Sequence, residues 1–417
     1  MSTIKKLGFL NSNNKSECLG CGACAQACPK QIISFEEDNE GFKYPKIIDS
    51  DQCINCGMCH KVCPIENPAI KHENDKYVFG GYSLDKDNRN KSTSGGIFFE
   101  IAKNHFLKKK NVVVYGATSS GLEVFHEKAT NLEDCKKFRK SKYSQSDTKA
   151  IYLDVRNNLN NNKQVIFSGT PCQIAALRCF LLGKNYDNLL TVEVVCEGVP
   201  SPLYLRKRIS LLEQKKKMKL ESYDYRCKSK KNSRILKWDF QMEEIILKNS
   251  KREKRYFKDR WFNPFWSIWL QHLMSRPSCY ECPYTEKGRV ADITLGDLWG
   301  VHIYCPELYG KNGGSSLIIC NTEKGKATLE EIKNSLFGHE LNYDDAIRYQ
   351  GPLKKHIESN PKRDEFMQDL INTNSIKEIN KKWAKKPTIK LLFFKYIYGN
   401  RQIVAKWNLF NKINKSR

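Results

Sequence analysis

Two things are scarce in this 417-residue chain: long apolar runs and acidic residues. A helix that crosses a bilayer needs about 20 consecutive apolar residues. The longest candidate here, 389–398, is short and is broken by Lys390 and Lys395. The residues before Cys18, MSTIKKLGFLNSNNKSE, contain no apolar h-region, so no secretory signal is expected. Asp and Glu number 46 against 71 Lys and Arg, a formal net charge of +25. Such an excess favours acidic partners, membrane surfaces or nucleic acid. The plain alternative is a solvated Lys-rich surface with Asn-rich loops such as 157–162. No nucleic-acid recognition module is legible, so no specific nucleic-acid partner is expected. From 379 to 417 the chain has eleven Lys or Arg and no Asp or Glu. Trp383, Phe393, Phe394, Tyr396, Tyr398, Trp407 and Phe410 interleave with them. That mixture suits an anionic interface such as a membrane surface, or else a packed helix with its lysines outward.

Cysteine is what the chain has in excess, with 17 residues. Cys18, Cys21, Cys24 and Cys28 follow the spacing C-x-x-C-x-x-C-x-x-x-C-P, ending at Pro29. Cys53, Cys56, Cys59 and Cys63 repeat it, ending at Pro64. This is the spacing with which two-cluster bacterial ferredoxins hold two 4Fe-4S clusters, the fourth cysteine of each run serving the other cluster. The first cluster is therefore assigned to Cys18, Cys21, Cys24 and Cys63, and the second to Cys53, Cys56, Cys59 and Cys28. A zinc ribbon needs only four ligands. A disulfide framework needs an oxidising compartment. Thiols and clusters together point to the cytoplasm, where the chain would handle single electrons.

Beyond 75 the pattern changes to strands and helices. Strands are predicted at 77–82, 112–116, 165–168 and 189–195, with helices at 97–107, 173–182 and 202–214. Alternation of this kind implies a mainly parallel sheet, with ligands beyond the carboxyl ends of its strands. Cys172 and Cys196 both fall at that edge. Residues 215–258 read as two or three antiparallel strands, 261–274 as an aromatic helix, and residues after about 350 as helical and peripheral. Cys172 and Cys196, with the pair Cys279 and Cys282, make a third thiolate set for a cluster or for zinc, unless the pair is a redox dithiol. Cys135, Cys179, Cys227, Cys305 and Cys320 fit no motif and read as small buried hydrophobes. Ser92-Thr-Ser-Gly-Gly96, at a helix start, is a candidate phosphate cradle. Lys140 to Ser146 offers lysines, hydroxyls and an aromatic ring.

The ordered segments Gly80-Gly-Tyr-Ser83, Ser92-Thr-Ser-Gly-Gly96, Ser141-Lys-Tyr-Ser-Gln-Ser146, Ser168-Gly-Thr-Pro-Cys-Gln173, Cys196-Glu-Gly-Val-Pro-Ser201, Arg276-Pro-Ser-Cys279-x-x-Cys282 and Asp292-Ile-Thr-Leu-Gly-Asp-Leu-Trp-Gly300 resemble one family. It is the coenzyme F-420 hydrogenase/dehydrogenase beta-subunit family, in its form with an N-terminal ferredoxin domain. The resemblance covers about 10 to 350. It implies a small α+β bis-cluster ferredoxin domain at 1–75, a mixed, largely parallel α/β flavin and iron–sulfur domain at 76–350, and a basic helical tail at 351–417. It implies a third 4Fe-4S cluster on Cys172, Cys196, Cys279 and Cys282. It implies FAD beside that cluster, with Ser94, Gly95, Gly96, Lys142, Tyr143 and Thr170 as candidate contacts. Three such clusters would bring the net charge to about +19.

The implied activity is an oxidoreductase moving electrons between clusters, flavin and a deazaflavin, ferredoxin or small-molecule partner. Similar bacterial proteins are frequent in surface-polysaccharide gene neighbourhoods. The rival reading is an electron-transfer subunit whose chemistry happens on a partner enzyme. One departure stands out: the family usually has Cys-His-Gly where this chain has Cys196-Glu-Gly198.

Overall fold

A computed structural model describes residues 8–73, 76–228, 242–308 and 313–389. The turn expected at 228–234 and the tail from 390 onward lie almost wholly outside the described residues. Strands β1 (Ile33–Glu37) and β2 (Lys43–Ile47) form an antiparallel hairpin between the two cysteine runs. Each run enters a short helix, Ala23–Ala27 or Met58–Lys61, through a left-handed glycine: Gly22 at φ 81° and Gly57 at φ 69°. Glycine is the residue that adopts this conformation without a Cβ penalty. The repeat is thus written in the backbone as well as in the thiols.

The remaining strands are β3 (Tyr77–Ser83), β4 (Val112–Ser120), β5 (Glu123–Ala129), β6 (Gln164–Gly169), β7 (Leu189–Val194), β8 (Lys219–Cys227), β9 (Met242–Lys248), β10 (Glu253–Asp259), β11 (Ile293–Asp297), β12 (Ser316–Cys320) and β13 (Leu336–Glu340). Eight form one sheet in the order β13-β3-β12-β11-β7-β6-β4-β5. Its four central strands, β11, β7, β6 and β4, run parallel, and the strands flanking them join antiparallel. Strands β8, β9 and β10 form a separate antiparallel sheet. The expected combination of a ferredoxin-type unit with a mixed, largely parallel α/β unit is what the chain forms.

Side-chain alternation along the strands gives the large sheet two buried faces. Val112 and Val114 enter one core cluster with Ile97 and Ile101 of helix Ile97–Lys108. Val113 and Tyr115 enter the opposite one, with helices Ile151–Asn160 and Pro171–Phe180. Leu19, Ala23 and Val62 of the cysteine-rich unit belong to that same second cluster, so this unit is seated on one face of the sheet. The Gln26 side chain accepts from the Tyr152 amide at 2.8 Å, and Thr148 Oγ1 donates to the Cys21 carbonyl at 2.8 Å.

Two expectations need correction. The aromatic helix expected at 261–274 is only Pro264–Trp269, because Asn263 caps it and Pro264 occupies its first turn. The region after 350 is not peripheral throughout. Helices Arg363–Asn372 and Ile376–Trp383 bury Phe366, Met367, Leu370, Ile376, Ile379 and Trp383 in one cluster with Trp266, Trp269 and the β8–β9 sheet.

Candidate functional site

The second cysteine set meets in space. Cys28, Cys53, Cys56 and Cys59 line one small apolar pocket, together with Ile33, Ile47 and Ile54. In the first set, burial pushes the Cys21 thiol well up, and the charges of Cys24, Cys63 and Cys18 add to the effect. Cys24 is pushed up by burial and then by Cys18 and Cys63. Thiols crowded in this way remain protonated on their own, and a cationic cluster core is what offsets four thiolates in so small a space. Cys18 and Cys24 are buried, whereas Cys56 is exposed.

The third set is assembled by the large sheet. Strand β6 ends at Gly169 and leads through Thr170 into helix Pro171–Phe180, which places Cys172 in its first turn. Thr170 caps the helix, and its hydroxyl lies 3.1 Å from Cys172 Sγ. Cys196 follows the carboxyl end of β7. Cys279 and Cys282 come from the short turn Pro277–Glu281 and the residue after it. Burial raises Cys196 well above its usual range, and Cys172, Cys279 and Cys282 raise it further. Cys172, Cys279 and Cys282 are each pushed up to about 11, burial being the main cause.

All four of these thiols open onto one cavity of about 430 Å³ at the carboxyl edge of β6, β7 and β11. Ligand sites of small molecules and cofactors commonly have such volumes, about 300–1,000 Å³. The start of helix Ile97–Lys108 also opens onto it, through Ser94, Gly96 and Ile97. Its lining carries six cations, Arg139, Lys140, Lys142, Arg226, Arg260 and Arg276, and two acids, Glu197 and Asp297. Burial raises the Glu197 carboxyl, against the lowering effect of Arg260.

Of the residues expected at a flavin, Ser94, Gly96, Lys142, Tyr143 and Thr170 line the cavity, and Gly95 does not. The Gly95 amide donates to Ser316 Oγ at 2.9 Å, and a Cβ there would meet the Gly81 carbonyl at 2.6 Å. Gly95 is small because β3 and β12 approach it, so it is corrected from a phosphate contact to a packing glycine. Ser94 Oγ donates to the Ser315 carbonyl at 2.9 Å. Burial pushes Lys142 down to about 7, and its ammonium donates to the carbonyls of Ala117, Arg139 and Lys137. Tyr143 packs edge-on against Trp266, with ring centroids 4.7 Å apart, and its hydroxyl accepts from Arg226 at 2.6 Å.

Arg226 escaped the sequence reading. It is 5% exposed, pairs with Asp297 at 2.7 Å, and leaves Nε and Nη2 without hydrogen-bond partners among the described residues at the cavity wall. Asp297 belongs to the Asp292–Gly300 motif, which gave the one available signal. The other acid of that motif is structural: Asp292 accepts from the Thr191 amide at 2.8 Å and hydroxyl at 2.6 Å, tying β11 to β7.

Residues 17–67 match the 4Fe-4S dicluster domain family. Residues 162–343 match the family described as the C terminus of the coenzyme F420 hydrogenase/dehydrogenase beta subunit. No curated protein matches the chain. Thirteen solved chains match it. One belongs to the F420-reducing [NiFe] hydrogenase complex from Methanosarcina barkeri, at 16% identity and a TM-score of 0.41, covering 76% of this chain and 93% of that one. Among the described residues no helix is long and apolar enough to cross a membrane. Residues 17–67 thus match a 4Fe-4S dicluster domain and residues 162–343 are similar to the C-terminal part of coenzyme F420 hydrogenase/dehydrogenase beta subunits, an iron–sulfur module joined to an oxidoreductase-type one.

Proposed function

We propose that this chain is a flavin- and 4Fe-4S-dependent oxidoreductase with three clusters and one FAD. The observation that carries the reading is the shared cavity, in which four convergent thiols and an excess of cations, Arg226 and Arg276 among them buried, face the same space. Cys172, Cys196, Cys279 and Cys282 would hold the third cluster. Cys18, Cys21, Cys24 and Cys63 would hold the first, and Cys28, Cys53, Cys56 and Cys59 the second. We take 1–75 as the ferredoxin unit and 76–350 as the flavin and iron–sulfur unit, with 351–383 packed on the latter.

The residues fit a dinucleotide in two respects. A helix start at Gly96 and Ile97 favours an anion through its unpaired amides and dipole. The Nε and Nη2 of Arg226, unpartnered among the described residues, need acceptors, and a buried donor without one costs about 1–3 kcal/mol. Clusters supply one-electron chemistry and a flavin supplies hydride chemistry when bound. The chain's own task is to hold them in sequence. Exposed Cys56 makes the second cage the one an external carrier reaches, and buried Cys18 and Cys24 set the first cage behind it. An acidic ferredoxin suits the basic surface. The protein would act in the cytoplasm, with any contact to anionic lipid made through the tail.

The match of residues 162–343 to a beta-subunit family supports a second reading, in which the chain feeds electrons to a partner enzyme. Turnover of an artificial acceptor by the isolated chain separates the two, since a feeding subunit would hold its clusters and show little.

The flavin site is tested by Arg226→Lys. Lysine keeps a charge for Asp297 but lacks the two donors that have no partner among the described residues. Flavin affinity, measured by fluorescence titration of the anaerobic protein, should fall at least about tenfold, equivalent to about 1.4 kcal/mol, with iron content unchanged. Full flavin affinity in this variant would remove Arg226 from the site.

A further inference from the structure

Arg276 is 1% exposed and makes no ion pair with a carboxylate among the described residues. Burying a guanidinium without a counter-charge costs several kcal/mol. Its donors go elsewhere: Nε to the Cys18 carbonyl at 2.9 Å, Nη1 to Gln145 Oε1 at 2.9 Å, and Nη2 to the Lys43 carbonyl at 3.1 Å and Cys18 Sγ at 3.7 Å. The guanidinium lies 4.2 Å from the centre of the Tyr44 ring. Its backbone opens the turn that carries Cys279, whose amide donates to the Arg276 carbonyl at 2.9 Å. One residue is therefore anchored in the third cage's loop and reaches into the first cage's loop. Arg276 lines the same cavity as Cys172, Cys279 and Cys282, while its Nη2 reaches the Cys18 sulfur.

We propose that Arg276 is the shared counter-charge of the first and third cages, raising their reduction potentials relative to the second cage so that an electron entering from outside is drawn inward. The inference rests on the cluster assignment above. Adding an electron makes a cluster more negative, and a fixed neighbouring cation stabilises that state. The sign is therefore upward for the cages Arg276 touches. In the second cage, whose lining does not include Arg276, the effect is smaller. Gln145 acts as the holder of this charge, since its amide nitrogen also donates to the Leu19 and Gly20 carbonyls at 2.8 and 3.1 Å. Arg276 is thus a positioning and tuning residue and need not touch the substrate.

The test is a potentiometric titration of the anaerobic full-length holoprotein followed by electron paramagnetic resonance, with iron and flavin counted on the same samples. Arg276→Gln removes the charge. The first and third clusters should each become at least tenfold harder to reduce, about 59 mV for a one-electron couple, with a smaller shift in the second. Arg276→Lys should stay near the parent. Unmoved potentials in an Arg276→Gln protein with full iron would overturn the proposal. If that variant sheds iron, Gln145→Glu decides, because it sets a carboxylate against Nη1 while Arg276 stays. The same downward shift is expected, and no shift at the first cluster overturns the proposal. A parent protein that lacks the third cluster would instead fail the cluster assignment, a separate result visible in its iron count.

Discussion

Replacing Cys279 and Cys282 together by serine should cost the protein about four of its irons and leave the two ferredoxin-type signals in place. The two cysteines share one short turn, and their proposed partners Cys172 and Cys196 come from two parallel strand ends, so the pair would supply half the proposed third cage. Two thiolates cannot satisfy a cubane core that needs four ligands. The cage is separate from the dicluster unit, whose eight cysteines lie within 18–63. Anaerobic reconstitution, iron analysis and low-temperature resonance spectra make the comparison. An unchanged iron count would mean that these thiols hold no cluster. Loss of all iron would mean that the cages do not form independently.

Trp383→Ala should destabilise the protein by about 3–5 kcal/mol, the usual range for emptying a buried tryptophan site. Trp383 is 8% exposed, meets Phe366 edge-on at 5.5 Å between ring centroids, and donates from its indole nitrogen to Asp369 at 2.8 Å. The cluster it fills also contains Trp266 and Trp269, which line the cavity. Denaturant unfolding of the anaerobic protein, with exposed Lys381→Ala as the control, reads the effect. A loss no larger than the control's would return this helix to the periphery. A truncation meant to probe the basic tail should accordingly begin at 390, because one beginning at 379 removes Ile379 and Trp383 from the core.

The cysteine repeat was fully legible because its ligands are close in sequence and its spacing follows from the chemistry of the cluster. Strand ends β6 and β7 were legible from their β-branched runs, which is why Cys172 and Cys196 could be brought to one edge from the sequence alone. The pair Cys279 and Cys282 could be joined to them from ligand chemistry only as one option among cluster, zinc and redox dithiol, since nothing local says where that turn folds, and the resemblance then implied the cluster. Gly95 misled because a glycine that lets two strands approach looks, in sequence, like one that lets a phosphate approach. Arg226 was silent because β8 lies in the small antiparallel sheet, and only tertiary packing brings its guanidinium to the cavity wall. The helices after 360 were underrated because lysines hide the apolar stripe. Phe366 and Leu370 recur at i, i+4, and Ile376, Ile379 and Trp383 at i, i+3, i+7, the spacing of a buried helical face.

Cofactor content of the anaerobically reconstituted wild-type chain bears most directly on the central claim. Three cages and one cation-rich cavity predict about twelve irons and one non-covalent FAD per chain, released intact on denaturation. About eight irons with no flavin would contradict the account, leaving a two-cluster ferredoxin joined to a domain with no redox centre of its own.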